Sequence, residues 1–480
     1  MMISDHKTKI VCTIGPSTRS LPMIEAMIKA GMNVARLNFS HGDFAEHKID
    51  IHNIRKASDN LKQLVGILID LPGVKMRIGV LKDGMLILKN GELVTLTTKN
   101  VLGTSSLIPV SYKSLPKSVS KGSIVFLNDG FIQLRVESVV GTEIHCRVMI
   151  GGKILSHKGL NLPGAKLFLD PITKRDLEII DFGLSHGVTT FGLSFVEGAK
   201  DILKVREFAR SKGKKVYLVS KIERSGAIEN FDEILKVTDA VMVARGDLGI
   251  ETPIEQVPVV QKELIRKANI FGRPVITATQ MLGSMTQNIR PTRAEVNDVA
   301  NAILDGTDAI MLSEETAIGD YPVETIKMMV KIACSTENLY HTGRLSAYIR
   351  QQVRNKGDNG SLTIPDTISL NVVDVVRKLN VRYILTQASS GSTARHLSRL
   401  KPSCWILAFS PIREVCEFLL FSYGVFPFLK RVGVKNHPDV LLKNIKSLRL
   451  GTKGDTVIIA ERRFSPYSGE TDSLSIVNLQ

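Results

Sequence analysis

Residues 216–251 read VYLVSKIERSGAIENFDEILKVTDAVMVARGDLGIE, and no other stretch constrains the architecture as tightly. Two short β-branched runs, 216–220 and 240–243, each end abruptly in charge. The first delivers Lys221 and Glu223, the second Arg245 and Asp247. The segment between them has helical spacing, so the pair reads as consecutive parallel strands of a β-α-β unit. Parallel strands bring their carboxyl ends to one edge, where α/β sheets and barrels build active sites. Two carboxylates and a lysine converge there, a donor set that suits a divalent cation and an anionic substrate.

The same rhythm extends in both directions. Apolar runs at 10–14, 34–37, 65–69, 189–193, 216–219, 240–243, 275–277 and 309–312 alternate with amphipathic segments at 21–30, 44–61, 174–186, 254–269 and 323–340. Such repetition predicts an eight-stranded (β/α)8 barrel over 1–71 and 167–345. An open doubly wound sheet is the competitor, and no G-x-G-x-x-G supports its dinucleotide version.

One interval, 72–166, breaks the pattern. Turn signals at Asp83-Gly84, Asn90-Gly91, Lys121-Gly122, Asn128-Asp129-Gly130, Gly141 and Gly151-Gly152 predict a small antiparallel all-β insertion, because turns recur about every 8–12 residues. Helical alternation resumes near Leu167. An insertion at a strand's carboxyl end sits beside the active-site mouth and can act as a lid. The polar segment 351–362 reads as a linker. The apolar runs 383–385, 406–409 and 457–460 predict a smaller C-terminal α/β domain, 346–480, with a mainly parallel sheet.

Composition narrows the function class. Of 480 residues, 43% are hydrophobic and 23% charged, ordinary values for a globular protein. No apolar stretch approaches the roughly 18 residues of a membrane helix; the nearest, 418–429, is broken by Gly424 and Pro427. No signal-peptide core precedes KIVCTIG, and five scattered cysteines without a C-x-x-C pair predict reduced thiols in a cytoplasm and no zinc site. The 63 basic and 47 acidic residues leave a net charge of +16. Basic runs such as 212–215 lack interleaved aromatics, so the charge reads as a solvated surface around a site for anionic metabolites, not as a nucleic-acid interface.

Polar residues end nearly every predicted barrel strand. Arg36 and Asn38, with Ser40 and His41, follow the second; Asp70 ends the third; Ser194 follows the fourth. Lys221 and Glu223 follow the fifth, Arg245, Gly246 and Asp247 the sixth, Thr279 and Gln280 the seventh, Ser313 and Glu314 the eighth. Any single acid pair is by default a surface pair; matching positions on adjacent strands favour a metal. Mg2+ fits two carboxylates, since substrate and water complete its shell. Lys221, two residues from a metal ligand, suits a transferring anionic group better than solvent, and Arg36 and Arg77 suit phosphate or carboxylate. Arg245 reads as a structural brace, and His41 equally as a local hydrogen-bond anchor or a substrate contact. Met281, Met285, Met311 and the run 418–421 read as core. SSGSTA, 389–394, either cradles a phosphate at a helix start or simply caps the helix.

With these residues assembled, the chain resembles the pyruvate kinase family along essentially its whole length. The resemblance is carried by KIVCTIGPSTRS (9–20), AGMNVARLNFSHG (30–42), DLPGVKMRIG (70–79), SHKGLNLPG (156–164), LVSKIERSGAI (218–228), VMVARGDLGIE (241–251) and ATQMLGSM (278–285). The long segment from RPTRAEVND to GDYP (290–322) and the tail SGETDSLSI (468–476) complete it. It implies phosphoryl transfer from phosphoenolpyruvate to ADP, giving pyruvate and ATP as the final step of glycolysis, in a cytoplasmic allosteric homotetramer. By position it implies Mg2+ on Glu223 and Asp247 and a K+ site at Asn38, Ser40, Asp70 and the carbonyl of Leu71. Lys221 would stabilise the transferring phosphoryl group and the enolate, and Arg36 would contact the phosphate. Arg77 and Lys158, with Asn38 and His41, would face the nucleotide. Gly246, Asp247 and Thr279 would bind the substrate carboxylate, Thr279 also lying on the proton route to the enolate carbon. An effector phosphate would sit at Ser389, Ser390, Ser392 and Thr393.

The departures matter as well. Many members read DTKGPEIRTG where this chain has DLPGVKMRIG, so Lys75 replaces the glutamate of potassium-dependent members. Its ammonium would supply the charge that K+ brings, making the ion dispensable. Asn128 replaces an acid in the lid, and Glu461 and Arg462 stand after the last predicted strand where Ser-Gly is frequent. Two rival classes remain open at this level. A metal-dependent barrel lyase or aldolase acting on a pyruvate enolate would want the same acids without the lid or C-terminal domain. A catalytically silent binding protein would be expected to lose some of Lys221, Glu223, Asp247 or Thr279, and all are present.

Overall fold

The structure, a computed structural model, describes residues 3–340, 344–355, 362–430, 438–461 and 471–480. Eight parallel strands close into a barrel: β1 Lys9–Thr13, β2 Val34–Asn38, β3 Gly66–Asp70, β4 Thr190–Leu193, β5 Tyr217–Ile222, β6 Ala240–Ala244, β7 Val275–Ala278 and β8 Ala309–Leu312. Each pairs with its neighbours in chain order, and β8 returns to β1 through Lys9↔Ala309. The strands read as apolar runs because they are buried on both faces, with helices outside and packed side chains within. The intervening segments fold as helices whose starts are capped by their own sequence. Thr173 with Asp176, and Thr292 with Glu295, make reciprocal capping boxes.

Residues from elsewhere in the chain plug the amino-terminal end of the barrel. Phe418, Leu420 and Phe421 pack against Val11, Val34, Leu68, Tyr217, Met242 and Met311, and Phe418 stacks on Tyr217 at 4.2 Å between ring centroids. The carboxyl end of the barrel is thereby left as the open face.

Between β3 and the helix Lys174–Ser185 the chain forms a six-stranded and a two-stranded sheet with their own apolar core. This is the inserted lid, antiparallel as expected except for one parallel pair, Leu93–Thr97 with Leu107–Pro109. One helical turn, Leu115–Ser118, interrupts its all-β character. The C-terminal domain is a five-stranded sheet in the order β11-β10-β9-β12-β13, made of β9 Val381–Gln387, β10 Trp405–Ser410, β11 Val425–Leu429, β12 Thr456–Glu461 and β13 Ser473–Asn478. Only β13 runs antiparallel.

Several expectations are corrected. Residues 351–355 belong to the helix Arg344–Asn355 rather than to a linker; 356–361 lie outside the described residues. The first helix after the lid, Lys174–Ser185, matches the amphipathic segment 174–186, with Thr173 supplying the cap. The segment 254–269 is a short 3-10 turn, Ile254–Gln256, followed by the helix Val257–Phe271, because Pro258 can only start a helix. Strands β11 and β13 add to the three predicted. Their apolar or alternating residues pair only once the long-range register exists. Glu461 therefore closes β12 rather than following the last strand, while Arg462 and residues 468–470 lie outside the described residues.

The C-terminal domain is fastened to the barrel by buried polar contacts. Lys401 pairs with Asp308 at 2.7 Å, and Lys9 Nζ donates to the carbonyl of Val425 at 2.7 Å while lying 4.8 Å from the Trp405 ring. No helix of the described residues is long and apolar enough to cross a membrane. All five cysteines are free thiols.

Candidate active site

Strand periodicity places Lys221 and Glu223 on one side, since side chains two apart share a face. Lys221 is the penultimate residue of β5 and Glu223 follows the strand, so both enter the open mouth of the barrel. Their side chains are almost wholly buried, and Lys221 Nζ lies 2.8 Å from Glu223 Oε1. Asp70, the last residue of β3, lies 3.3 Å from the same ammonium through Oδ1. Its Oδ2 accepts from Arg36 Nε at 2.7 Å. Arg36 in turn donates to Thr13 Oγ1 at 2.9 Å, directly across the β1–β2 register. Four barrel strands, β1, β2, β3 and β5, therefore meet in one buried charged network.

The network has a definite electrical character. Burial pushes the Asp70 carboxyl up, but the charges of Lys221 and Arg36 together outweigh it and hold the group below the usual carboxylate range. Burial likewise works against a charged Lys221, yet Asp70 and Glu223 outweigh it and keep the ammonium protonated. Glu223 is raised, first by burial, with the nearby Asp247 charge adding to it against the pull of Lys221. Asp247 stands in the first turn of the helix Arg245–Glu251, which starts where β6 ends.

The donor set fits a small hard cation. Among the described residues no group of three or more His, Cys, Asp or Glu side chains could hold a metal. Two carboxylates whose mutual repulsion is felt at Glu223 can be relieved by Mg2+, which takes few protein ligands. Three carboxylates, Asp70, Glu223 and Asp247, face two protein cations, Arg36 and Lys221. The cluster thus carries one surplus negative charge that a divalent ion inverts, leaving a site suited to anions.

Beside this cluster, at the ends of β6 and β7, Gly246 N donates to Thr279 Oγ1 at 2.9 Å. Thr279 has φ of 68°, a strained region for a β-branched residue. Arg245 holds this corner: it pairs with Asp298 at 2.7 Å and donates to the carbonyl of Thr279 at 2.6 Å. Arg245 is thus the structural brace that the sequence suggested.

The lid leans over this face. A Cβ on Gly130 would come within 3.8 Å of Ile250, and the amide of Gly164 bonds Glu251, both on the helix that carries Asp247. Arg77 is exposed at the lid base, donating to the carbonyl of His157 at 2.9 Å; Lys158 is half-buried beside it. Lys75 is also on the lid side, its ammonium 4.0 Å from Asp129.

The family models described as "Pyruvate kinase, barrel domain" and "Pyruvate kinase, alpha/beta domain" match residues 5–326 and 366–477. A pyruvate kinase of Thermococcus litoralis is 49% identical over 466 residues, covering 96% of this chain and 96% of that protein. The chain belongs to the pyruvate kinase family. It is accordingly a phosphotransferase that moves a phosphoryl group from phosphoenolpyruvate to ADP. A pyruvate kinase of Staphylococcus saprophyticus is 44% identical over 478 residues, covering 98% of this chain and 80% of that protein. A crystal structure of a pyruvate kinase from Cryptosporidium parvum superposes with a TM-score of 0.92 at 36% identity, covering 99% of this chain and 97% of that one.

Within this chain the residues singled out from sequence fall into three groups. Arg36, Asp70, Lys221 and Glu223 share one contact network, with Asp247 close enough to act on Glu223; Gly246 and Thr279 touch each other beside it. Asn38 caps the amide of Ser40 at 3.2 Å, the carbonyl of Leu71 accepts from Ser194, and His41 offers its carbonyl to His47. Ser389, Ser390, Ser392 and Thr393 lie in the other domain. There Ser390 Oγ is 3.2 Å from Ser392 Oγ, and Thr393 bonds Thr471. Two participants escaped the sequence reading. Thr13 carried no polar signal inside an apolar strand, and Phe195, whose amide donates to Glu223 Oε2 at 2.7 Å, acts through its backbone.

Proposed function

We propose that catalysis runs through the Lys221-centred cluster, with Glu223 and Asp247 as the protein ligands of Mg2+. Held there, Mg2+ would supply positive charge that offsets the charge developing on the substrate during transfer. Lys221 stabilises the phosphoryl group in flight and the enolate left behind. Arg36 holds the phosphate, and the amides of Gly246 and Asp247, with Thr279, receive the substrate carboxylate. Thr279, through a water, serves the proton that reaches the enolate carbon. Arg77 and Lys158, with Asn38 and His41, take the nucleotide side. The observation that carries this reading is one largely buried ammonium shared by Asp70 and Glu223, next to a third acid, Asp247. A coupled assay of ATP formation from phosphoenolpyruvate and ADP, with and without Mg2+, tests it; activity independent of any divalent ion sinks the metal assignment.

Asn38, Ser40, Asp70 and the Leu71 carbonyl form the family's K+-type site, and Lys75 makes the ion dispensable by bringing a tethered charge to the lid hinge. Sugar phosphates or nucleotides regulate the enzyme at Ser389, Ser390, Ser392 and Thr393, and the protein works as a cytoplasmic homotetramer. The units are 1–71 with 167–345, 72–166 and 346–480. Support for these points comes from the family pattern and, at the effector segment, from hydroxyls gathered before the helix Ser392–Ser398.

A further inference from the structure

The hydroxyl of Ser194 stands between the lid hinge and the Lys221 ammonium. Ser194 follows β4 and is 4% exposed. Its Oγ donates to the carbonyl of Leu71 at 2.7 Å and lies 2.6 Å from Lys221 Nζ. An ammonium only donates, so the serine proton must point at Leu71 and its lone pair at Lys221. The remaining neighbours of the ammonium are Glu223 at 2.8 Å and Asp70 at 3.3 Å. Ser194 is thus the one neutral acceptor of the three, and it fixes where the third N–H points.

The next residue completes the contact. Phe195 takes a left-handed backbone, φ 57°, which turns its amide onto Glu223 Oε2 at 2.7 Å. A non-glycine residue held there signals a surrounding structure that over-determines it. Its ring faces the guanidinium of Arg224 at 5.1 Å. On the other side lies the hinge: a Cβ added to Gly73 would come within 3.1 Å of both the Ser194 Cβ and the Phe195 ring. Gly73 itself has φ of 59° and is anchored by Asp176, 3.1 Å from its amide. Leu71 and Gly73, where the chain leaves β3 for the lid, therefore rest on the same two residues that hold Lys221 and Glu223.

We infer that Ser194 is a positioning residue for phosphoryl transfer, setting the direction of the Lys221 ammonium from the position of the lid hinge. The inference rests on the assignment of Lys221 given above. A charge aimed at the transition state loses most of its worth when misdirected by a fraction of an ångström, whereas ground-state binding tolerates the error. Removing the hydroxyl frees one ammonium proton to follow Asp70 or Glu223 and leaves the Leu71 carbonyl without its donor.

Steady-state kinetics on Ser194→Ala and Ser194→Cys, with Lys221→Met alongside, provide the test, each variant first shown to unfold near the parental temperature. Ser194→Ala is expected to lower kcat about 10- to 100-fold, the worth of one hydrogen bond to a charged group, with KM for phosphoenolpyruvate within about threefold. Ser194→Cys keeps the volume but is a poor acceptor, and is expected to match the alanine variant. Should one variant fail to fold, the other decides. Parental kcat in either variant, or a rise in KM at constant kcat, overturns the role of Ser194. Full activity in Lys221→Met overturns instead the assignment of Lys221 on which it rests.

Discussion

Lys221 Nζ and Glu223 Oε1 lie 2.8 Å apart, both side chains almost wholly buried. The residue proposed to neutralise the transferred group and a residue proposed to hold the metal are thus partners in one ion pair. Neither charge can be removed without leaving the other less compensated in a low-dielectric site.

Glu223→Gln and Asp247→Asn are expected to lower activity at least about 100-fold at ordinary Mg2+, since each removes one of two anionic ligands. Both should retain the parental fold by circular dichroism. Titration with Mn2+, followed by its paramagnetic signal, should show weakened binding in each. Parental turnover at low Mg2+ in either variant would take that residue out of the metal site.

Lys221→Met is expected to depress kcat by about 100- to 1000-fold while KM for phosphoenolpyruvate changes little, because a preorganised charge acts on the transition state. Asp70 keeps its bond to Arg36, but Glu223 loses its contact with the ammonium, so the melting temperature should also fall. A raised KM with unchanged kcat would make the lysine a ground-state binder.

Activity is expected to be independent of potassium. Lys75 carries its own ammonium on the lid side of the site, 4.0 Å from Asp129. Assays in potassium-free buffer with a bulky organic cation should match those with potassium, and Lys75→Glu should create a requirement. Strong potassium activation of the parent enzyme refutes the idea.

Stability should depend on pH through Lys9, at the seam between barrel and C-terminal domain. Burial pushes this lysine down to about 7 against the opposing pull of the Glu337 charge, while its ammonium meets the Val425 carbonyl and the Trp405 ring. The folded state then binds fewer protons than the unfolded chain between about pH 7 and the ordinary lysine value near 10.5. Stability therefore rises with pH across that window and is lost as pH falls through 7, a change on the order of 5 kcal/mol. Lys9→Met should flatten the melting-temperature profile from pH 6 to 10 and raise the temperature most at the acidic end. A parent and variant with parallel profiles would show that Lys9 does not titrate there.

The division between sequence and tertiary structure follows the range of the interactions. Barrel strands such as 240–243 and 309–312 were legible to within a residue or two because burial on both faces demands uninterrupted apolar runs, a local property. Asp70, Lys221, Glu223 and Asp247 were legible for the same reason: each follows or ends such a run, and parallel strands must share an edge. Folding alone decided which of these groups touch. Arg36 meets Asp70 and Thr13 because β1, β2 and β3 adopt one register; Phe418 plugs the barrel because a distant domain docks beneath it. Ser194 stood out as the polar residue after the fourth strand, but the direction of its hydroxyl proton and the left-handed backbone of Phe195 leave no trace in residue pattern. Strands β11 and β13 likewise needed partners already in place, since a strand's hydrogen bonds are satisfied only by neighbours the chain supplies from far away.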